Sequence, residues 1–323
     1  MTDERFLVTG ALGCIGAWTV RNLIREGIPV YAFDLGDHRH RLQLLLSPDE
    51  IREIHFCQGD IADSEEVFKI IGSIQPTHVI HLAAMQLPFC KADPILGSKV
   101  NVVGTVNIFE SCKRLGIQHL VYASSTAVYG VSEEYPEEPL PNDAPLKPRS
   151  HYGVYKQANE GTARVYWMDD HFASIGLRPY VVYGSGRDQG MTSTPTQAML
   201  SAAAGKPYKI TYGGRYCFQY GDDTAKIFIA CARSSTKGSD VFNIGGPSVS
   251  TPQVISAIEK ALPASKGTLT FDDIPLPFPE EVDHSALEKL VGKLPFTPLD
   301  QGVAETISIF QKALKENLIQ PPK

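Results

Sequence analysis

The first half of the chain alternates short apolar runs, rich in β-branched and aromatic residues, with longer segments of helical period. This alternation is typical of parallel strands, because each parallel pair needs a long crossover that is usually a helix. The strand-like segments are Arg5–Thr9, Val30–Phe33, Ile54–Gln58, His78–Leu82, His119–Ala123 and Ser174–Arg178. The helical segments are Gly13–Glu26, Ser64–Ile74, Pro94–Leu115 and Tyr152–His171. The sequence therefore predicts an α/β fold built on a doubly wound parallel sheet of the Rossmann type.

Beyond Arg178 the alternation breaks down, and glycine and proline recur, which predicts a change of architecture. A helix near Asp223–Arg233 and a strand at Val241–Asn243 can still return to the sheet. We therefore expect a larger sheet domain formed by residues 1–182 and 216–247, and a smaller, discontinuous α+β domain formed by residues 183–215 and 248–323. Amphipathic helices in the last segment are predicted at His284–Val291 and Leu299–Asn317.

Composition argues against several classes of function. The chain of 323 residues is 43% hydrophobic, which is enough for a full core, and its net charge of -6 argues against a nucleic-acid partner. No run approaches the ~18 apolar residues that suggest a membrane span, and no signal-peptide pattern is visible, so we expect a cytoplasmic protein without a membrane partner. Six scattered cysteines have no metal-ligand spacing, so we expect free thiols and no metal site.

A glycine-rich turn joins the first strand to the first helix. Glycines let the backbone approach a pyrophosphate closely, and the free N–H groups at the start of the helix stabilise the negative charge. We therefore predict that this turn binds a dinucleotide through Gly10, Gly13, Cys14, Ile15 and Gly16.

Two acidic residues follow the next strands. Asp34 ends the second strand, 18 residues after Gly16, where a carboxylate accepts hydrogen bonds from ribose hydroxyls and repels a 2′-phosphate. It favours NAD over NADP. The basic segment 38–41 keeps NADP open, because an arginine there can pair with the 2′-phosphate; the alternative is a solvated loop. Asp60 can meet the adenine amino group or cap the following helix.

Hydroxyl and amino groups suited to proton transfer occur in two segments. Tyr152 and Lys156 are four residues apart on a predicted helix, hence on one face, and a nearby ammonium lowers the pKa of a tyrosine so that it can act as acid or base. Ser124, Ser125 and Thr126 follow a sheet strand at the edge where parallel sheets bind ligands. One hydroxyl can polarise the reacting oxygen, or Ser124 and Thr126 can simply end the strand and cap the next turn.

Six motifs follow one another along nearly the whole chain: residues 9–16, His81-Leu82-Ala83-Ala84, residues 101–107, residues 124–130, Tyr152 with Lys156, and residues 178–184. In these motifs the chain resembles the extended short-chain dehydrogenase/reductase group, which contains NAD-dependent epimerases and dehydratases. The resemblance implies that Tyr152 is the acid/base, that Lys156 binds the nicotinamide ribose and tunes Tyr152, and that Ser125 is the catalytic hydroxyl. It also implies cofactor contacts from Asp60, Ile61, Leu82, Ala83, Ala84 and Asn101.

Several positions depart from the pattern of that group. Thr126-Ala127 replace the Asp-Glu of nucleotide-sugar dehydratases, so we set dehydration aside. Val181 replaces an asparagine that contacts a substrate phosphate in epimerases. Tyr216 replaces an arginine that binds the diphosphate, with Arg215 one step out of register. We therefore expect a carbohydrate-like substrate without a nucleoside diphosphate, such as a free sugar, sugar acid or polyol.

The substrate contacts that we expect are Ser125, Thr126, Tyr183 and Arg187. Arg187 can reach a carboxylate or phosphate of the substrate, or it can be an ordinary surface-loop arginine.

These features support three hypotheses for function. The leading one is an NAD-dependent dehydrogenase in which Tyr152 removes the proton of a secondary alcohol, Ser125 holds the oxygen and hydride passes to nicotinamide. The alternative is a sugar or nucleotide-sugar epimerase that keeps its NAD tightly bound. The third is a non-catalytic NAD-binding regulator. The resemblance further implies a homodimer formed by packing the Pro94–Leu115 and Tyr152–His171 helices into a four-helix bundle.

Overall fold

Seven strands form one parallel sheet in the computed structural model, which describes residues 4–136 and 138–322. In chain order the strands are β1 (Phe6–Thr9), β2 (Val30–Asp34), β3 (His55–Gln58), β4 (His78–His81), β5 (His119–Ala123), β6 (Ser174–Arg178), β7 (Val181–Tyr183), β8 (Tyr208–Ile210), β9 (Arg215–Tyr220), β10 (Ser239–Asn243), β11 (Ser248–Ser250) and β12 (Leu269–Phe271). The large sheet has the order β10-β6-β5-β4-β1-β2-β3. Its order reverses between β1 and β4, and such a reversal opens a ligand-binding crevice at the carboxyl ends of the strands.

Helices cover both faces of this sheet, and others pack against the small sheets in the later part of the chain. They are α1 (Cys14–Arg25), α2 (His40–Leu45), α3 (Pro48–Arg52), α4 (Ser64–Ile74), α5 (Leu87–Ala92), α6 (Pro94–Ser98), α7 (Gly104–Leu115), α8 (His151–Asp170), α9 (Thr194–Ala203), α10 (Gly221–Arg233), α11 (Thr251–Ala261), α12 (Ser285–Val291) and α13 (Leu299–Lys315). A π-helical turn, Lys99–Val103, joins α6 to α7, and short 3-10 turns lie at Thr126–Val128, Ser132–Glu134 and Pro263–Ser265.

Alternate residues of the central strands enter two separate cores. Val8 and Val121 pack into the larger cluster, together with residues of α1, α10 and the smaller sheets. Leu7 and Tyr122 point to the opposite face and pack with residues of α4 and α7. Strands buried on both faces are apolar almost throughout, as expected for a parallel sheet between two helical layers.

The predicted fold class is confirmed: the sheet is parallel and doubly wound, and every strand predicted from the first half is present. The predicted helix Pro94–Leu115 needs a correction, because a π-helical turn interrupts its α-helical pattern at Lys99–Val103. The pattern did not reveal α2, α3, α5, α9 and α11, which are mostly short or carry a proline near the start.

Two small sheets accompany the large one in the later part of the chain. β11, β9 and β7 form one sheet, and β12 and β8 form the other. Residues 216–220 of β9 therefore pair outside the large sheet, although our division assigns them to the same domain. The division at residues 182, 215 and 247 stays a prediction. Within the described residues, no helix is both long and apolar enough to cross a bilayer.

Candidate active site

The glycine-rich turn is closely packed against the end of β4. Gly10 has a φ of 65°, and a Cβ on it would lie 2.7 Å from the backbone nitrogen of Ala83. A Cβ on Gly16 would overlap the carbonyl of Gly10. α1 begins at Cys14 with no side-chain cap and no acidic residue in its first turn, which leaves its first N–H groups available to an anion.

Asp34 lies directly beside this turn. Its Oδ2 accepts a hydrogen bond from the N–H of Leu12 at 2.9 Å, and its Oδ1 accepts one from the N–H of Leu35 at 2.9 Å. A carboxylate oriented by two backbone donors presents its remaining lone pairs to the crevice, where ribose hydroxyls can donate to them.

The basic segment after β2 is directed away from Asp34. Arg41 forms a bidentate ion pair with Asp188, with the closest N–O distance 2.7 Å, and donates from Nη1 to the carbonyl of Leu12. His40 Nε2 lies 2.9 Å from Oδ2 of the same aspartate, and Arg39 stacks 3.6 Å from the ring centroid of Phe56. The contacts of these three side chains show no cation paired with Asp34.

Asp188 therefore ties the loop after β7, residues 184–190, to the glycine-rich turn. The Nε1 of Trp18, on α1, also donates to the carbonyl of Ser185 at 3.0 Å in this loop. We call residues 184–190 the clasp loop, because these contacts fasten it to α1 and to Arg41.

Asp60 and Ile61 line a cavity of about 60 Å³ together with Asp34 and Gly59. Asp63, rather than Asp60, caps α4, since its Oδ1 accepts the N–H groups of Glu65 and Glu66 at 3.0 Å. Asp60 accepts only the local N–H of Ala62 through Oδ1, at 2.9 Å. Its place at this cavity fits the adenine-contact alternative better than the capping one.

Ser125 and Tyr152 line the same cavity in the crevice, and the hydroxyl of Ser125 is near enough to lower the pKa of Tyr152. α8 starts one residue before Tyr152, and its N-cap Ser150 accepts the N–H of Gly153 at 3.1 Å. A Cβ on Gly153 would overlap the carbonyl of Ala127. Glycine at this position therefore lets the start of α8 press against the turn that carries Ser125.

Lys156 lies one turn after Tyr152 and is only 3% exposed. Its Nζ donates to the carbonyl of Ala123 at 2.7 Å and lies 5.6 Å from the ring centroid of Tyr152. Burial lowers the pKa of Lys156 to about 8. Burial also raises the pKa of Tyr152, against the lowering effects of the nearby Ser125 hydroxyl and of the charge of Arg187. The lowered tyrosine pKa that we expected is therefore not found, because Lys156 interacts with a backbone carbonyl and desolvation of the phenolate is the larger effect.

A buried ionic network supports the strand that carries these hydroxyls. Ser124 donates to Glu160 at 2.5 Å, and Glu160 pairs with Arg178 at 2.7 Å. Arg178 also donates to the hydroxyl of Tyr129 and to the carbonyl of Asn142. Ser124 thus has a structural partner and leaves Ser125 as the hydroxyl next to Tyr152. Sequence reasoning missed Glu160, which lies one helical turn after Lys156, a spacing that could have revealed it.

The cavity beside Ser125 and Tyr152 has a volume of about 150 Å³. Thr126, Val181 and Arg187 line it, and so do Gln86 and Thr192, which the sequence analysis did not single out. The prediction that Tyr183 contacts the substrate needs a correction, because Tyr183 does not line the cavity. Its ring stacks on that of Phe218 in the core, with the ring centroids 3.9 Å apart, and its hydroxyl lies against Gly302. The ring of Tyr183 also lies 5.3 Å from that of Tyr220, so packing against two aromatic rings of β9 holds it in the core.

The remaining predicted contacts lie at the carboxyl edge of the sheet. Leu82, Ala83 and Ala84 follow β4, and the N–H of Ala83 donates to Thr9 Oγ1 at 3.2 Å. Asn101 lies in the π-helical turn and is fully buried; its amide donates to the carbonyls of Gly97 and Met85 at 3.0 Å and 3.2 Å. The contacts of Asn101 are those of a residue that holds the neighbouring backbone in place.

Sequence and structure comparisons identify similar proteins. The profile described as the NAD dependent epimerase/dehydratase family matches residues 6–245. The chain is 29% identical to UDP-glucose 4-epimerase of Mycolicibacterium smegmatis, over 95% of this chain and 98% of that protein. It is 30% identical to UDP-glucuronate 4-epimerase 1 of Arabidopsis thaliana, over 93% of this chain and 75% of that protein. The UDP-glucose 4-epimerase of Thermus thermophilus, solved in complex with NAD, superposes with a TM-score of 0.81 at 25% identity, covering 96% of this chain and all of that chain.

Proposed function

The chain belongs to the NAD-dependent epimerase/dehydratase family, and from this premise we propose that it uses NAD for hydride transfer at a secondary alcohol of a carbohydrate-like substrate. The observation that carries the proposal is that Ser125 and Tyr152 line one cavity at the carboxyl edge of the sheet, with Lys156 buried one helical turn after Tyr152. Similarity to enzymes over nearly the whole chain leaves the third hypothesis, a non-catalytic regulator, without support.

The residues present fit NAD. Gly10 and Gly16 leave the backbone space that a Cβ would fill, and the uncapped start of α1 suits a pyrophosphate. Asp34 is oriented to accept from the adenosine ribose, while Arg41 and its neighbours are engaged elsewhere, which supports NAD over NADP. When bound, the oxidised nicotinamide supplies a hydride acceptor and a positive charge.

The chain's own residues handle the substrate oxygen and its proton. Ser125, which lines the same cavity as Tyr152, is placed to donate a hydrogen bond to that oxygen and so to hold it beside Tyr152. As the carbinol carbon gives up hydride, the Tyr152 phenolate takes the hydroxyl proton, so the alcohol becomes a ketone and the phenol becomes neutral. The ammonium of Lys156, 5.6 Å from the ring centroid of Tyr152, and the positive charge that a bound cofactor would add both oppose the burial that raises the pKa of Tyr152. Reduction of the ketone follows the same steps in reverse.

We favour an epimerase as the enzyme that uses this step, because several relatives that match most of the chain are sugar 4-epimerases. An epimerase needs its cofactor to stay bound while the ketone turns over and is reduced from its other face. The clasp loop supports this interpretation, since Asp188 and Arg41 connect it to the glycine-rich turn that would hold the cofactor.

A dehydrogenase is the second candidate, and specific observations favour a substrate without a nucleoside diphosphate. Val181 lines the cavity and offers no donor to a phosphate. Tyr216 is buried against Thr251, and Arg215 is directed to Ser248 and Glu281 on the surface. The cavity of about 150 Å³ is also small compared with the ~300–1,000 Å³ of typical drug-sized ligand sites.

One assay separates the two candidates. Free sugars, sugar acids, polyols and nucleotide sugars are each incubated with the protein and NAD, then with NADP, and both NADH formation and epimer formation are followed. Epimer formation without net NADH indicates the epimerase, and NADH formation with a ketone product indicates the dehydrogenase. Tyr152→Phe should abolish either activity while leaving NAD binding intact, and Tyr166→Phe, on the same helix, should leave activity unchanged. Full activity in Tyr152→Phe refutes the proposal.

We also propose a homodimer formed through the helices α6, α7 and α8. Their outer faces expose large apolar side chains: Ile95 is 72% exposed, Val165 is 51% exposed and Met168 is 66% exposed. Val154, Gly161, Val165 and Met168 follow one stripe along α8, and Gly161 has open space around it, which allows a close approach of a second helix. Such an apolar stripe is typical of a helix-packing interface.

A further inference from the structure

Arg187 is a cation without a carboxylate partner in the candidate active site. Among the described residues that line the cavity, it is the one charged side chain. Its Nη2 donates to Thr192 Oγ1 at 3.0 Å, whereas its Nε is buried without a partner. The adjacent Asp188 is already occupied by Arg41 and His40. Because Arg187 is half-buried and one of its buried donors has no partner, this arrangement points to an anion that enters the cavity.

Gln86 adds an unmet acceptor to the same cavity. Its Oε1 is buried and has no hydrogen-bond partner. A Cβ on Gly190 would overlap this oxygen and would lie 3.3 Å from Arg187 Nη2, so the amide and the guanidinium lie side by side. A buried carbonyl oxygen that lacks a donor favours a ligand with a hydroxyl or amine at this point.

We propose that Arg187 and Gln86 together form a subsite for a hydroxy carboxylate, so that the substrate is a sugar acid. Arg187 binds the carboxylate, and Gln86 accepts a hydrogen bond from a neighbouring hydroxyl. The proposal rests on the function proposed above and deepens it. The reacting alcohol lies at Ser125 and Tyr152 in the same cavity, which leaves the carboxylate a few bonds away from the carbon that is oxidised.

The subsite belongs to the substrate rather than to the cofactor pyrophosphate. Arg187 shares its cavity with Ser125, Thr126 and Tyr152, whereas Arg41 is the arginine bonded to the glycine-rich turn, through the carbonyl of Leu12. Thr192 lies beyond the clasp loop and holds Arg187 on that side of the cavity. The pyrophosphate is nevertheless an anion, and binding measurements on variants distinguish the two.

Binding is measured by calorimetry on the NAD-loaded Tyr152→Phe protein, so that turnover does not disturb the titration. The probes are pairs that differ by one carboxylate: D-glucuronate and D-glucose, D-galacturonate and D-galactose, and UDP-glucuronate and UDP-glucose. A charge-assisted contact predicts that at least one acid binds about tenfold or more tightly than its neutral partner. Equal binding within every pair, or no binding of any acid, overturns the subsite.

Variants identify the residues responsible. Arg187→Gln should remove the preference for the acid, Arg187→Lys should keep part of it, and Arg149→Gln, a surface change of equal charge, should keep all of it. Gln86→Leu should weaken both members of a pair alike, and it provides a test even if Arg187→Gln does not fold. If Arg187→Gln weakens NAD binding and leaves the acid preference intact, the guanidinium serves the cofactor and the proposal is wrong.

The outcomes for the subsite and for the proposed function are distinguishable. Hydride transfer by the wild-type protein without any acid preference would refute the subsite alone. An acid preference in binding, with no hydride transfer by the wild-type protein on any bound acid, would refute the proposed function alone.

Discussion

Replacement of Lys156 by methionine tests how the buried ammonium affects both activity and stability. Burial lowers the pKa of Lys156 from its ordinary value of 10.5 to about 8. Above pH 10.5 Lys156 is neutral in both the folded and the unfolded chain, and its burial carries no cost of desolvating a charge. As the pH falls from 10.5 to about 8 that cost appears, and the folded chain loses stability. Between these values the unfolded chain holds a proton that the folded chain lacks, so stability rises with pH.

The magnitude follows from that difference. The lowered pKa corresponds to about 3 kcal/mol of destabilisation at pH 7. Methionine removes this cost but also removes the hydrogen bond to the carbonyl of Ala123, which costs about 1–2 kcal/mol. We therefore expect Lys156→Met to raise the free energy of unfolding by about 1–2 kcal/mol at pH 7. At pH 10 the free energy of unfolding of the wild-type protein should equal or exceed that of Lys156→Met, because most of the cost of burying the ammonium has then disappeared.

The assay is urea unfolding of the cofactor-free protein at pH 7 and pH 10, followed by circular dichroism. Lys91→Met, an exposed change of the same kind, is the control and should follow the wild type at both pH values. Activity measured in parallel should fall by about two orders of magnitude or more in Lys156→Met, because the phenolate of Tyr152 loses its cation. If the wild type and Lys156→Met show the same pH dependence of stability, the ammonium is not desolvated and the reasoning is refuted.

Three further variants test the packing around the site. Gly153→Ala should lower kcat at least tenfold, because the new methyl group would overlap the carbonyl of Ala127. The control Gly72→Ala, on α4, makes only ordinary van der Waals contacts and should raise the free energy of unfolding by up to about 1 kcal/mol. Asp188→Asn should release NAD several-fold faster in stopped-flow measurements, and unchanged release, matching an Asp272→Asn control, would contradict a fastened clasp loop. Met168→Lys should shift the protein from dimer towards monomer in sedimentation, and a wild type that is already monomeric would exclude the proposed dimer.

Regular periods and capping patterns explain which elements the sequence predicts. The central strands of the large sheet are buried on both faces, so their apolar runs are easily told apart from amphipathic helices. Helix α11 was missed even though Ser250 and Gln253 form a capping box and Pro252 follows at the second helical position. A capping box is a local sequence pattern, so it could have predicted the start of α11. The π-helical turn at Lys99–Val103 has no such sequence mark, because one extra residue per turn leaves the helical composition unchanged.

Candidate site residues show a similar division. Ser125 and Tyr152 could be predicted from local patterns: Ser125 follows a sheet strand, and Tyr152 lies one helical turn before Lys156. Gln86 and Thr192 could not be predicted, since their place in the cavity depends on how residues far apart in the chain are brought together. The prediction for Tyr183 was wrong because its place in the core depends on Phe218 and Tyr220, which lie far along the chain and pack against it only in the folded protein.

The position of β10 in the large sheet determines when the sheet can be completed during synthesis of the chain. Six strands of the sheet lie before residue 179, but the edge partner of β6 is made only with residues 239–243. Until then a growing chain carries β6 with one row of unpaired backbone groups, and such an edge readily pairs with other chains. The last strand of the sheet is therefore added late, after the clasp loop and β9 have left the ribosome.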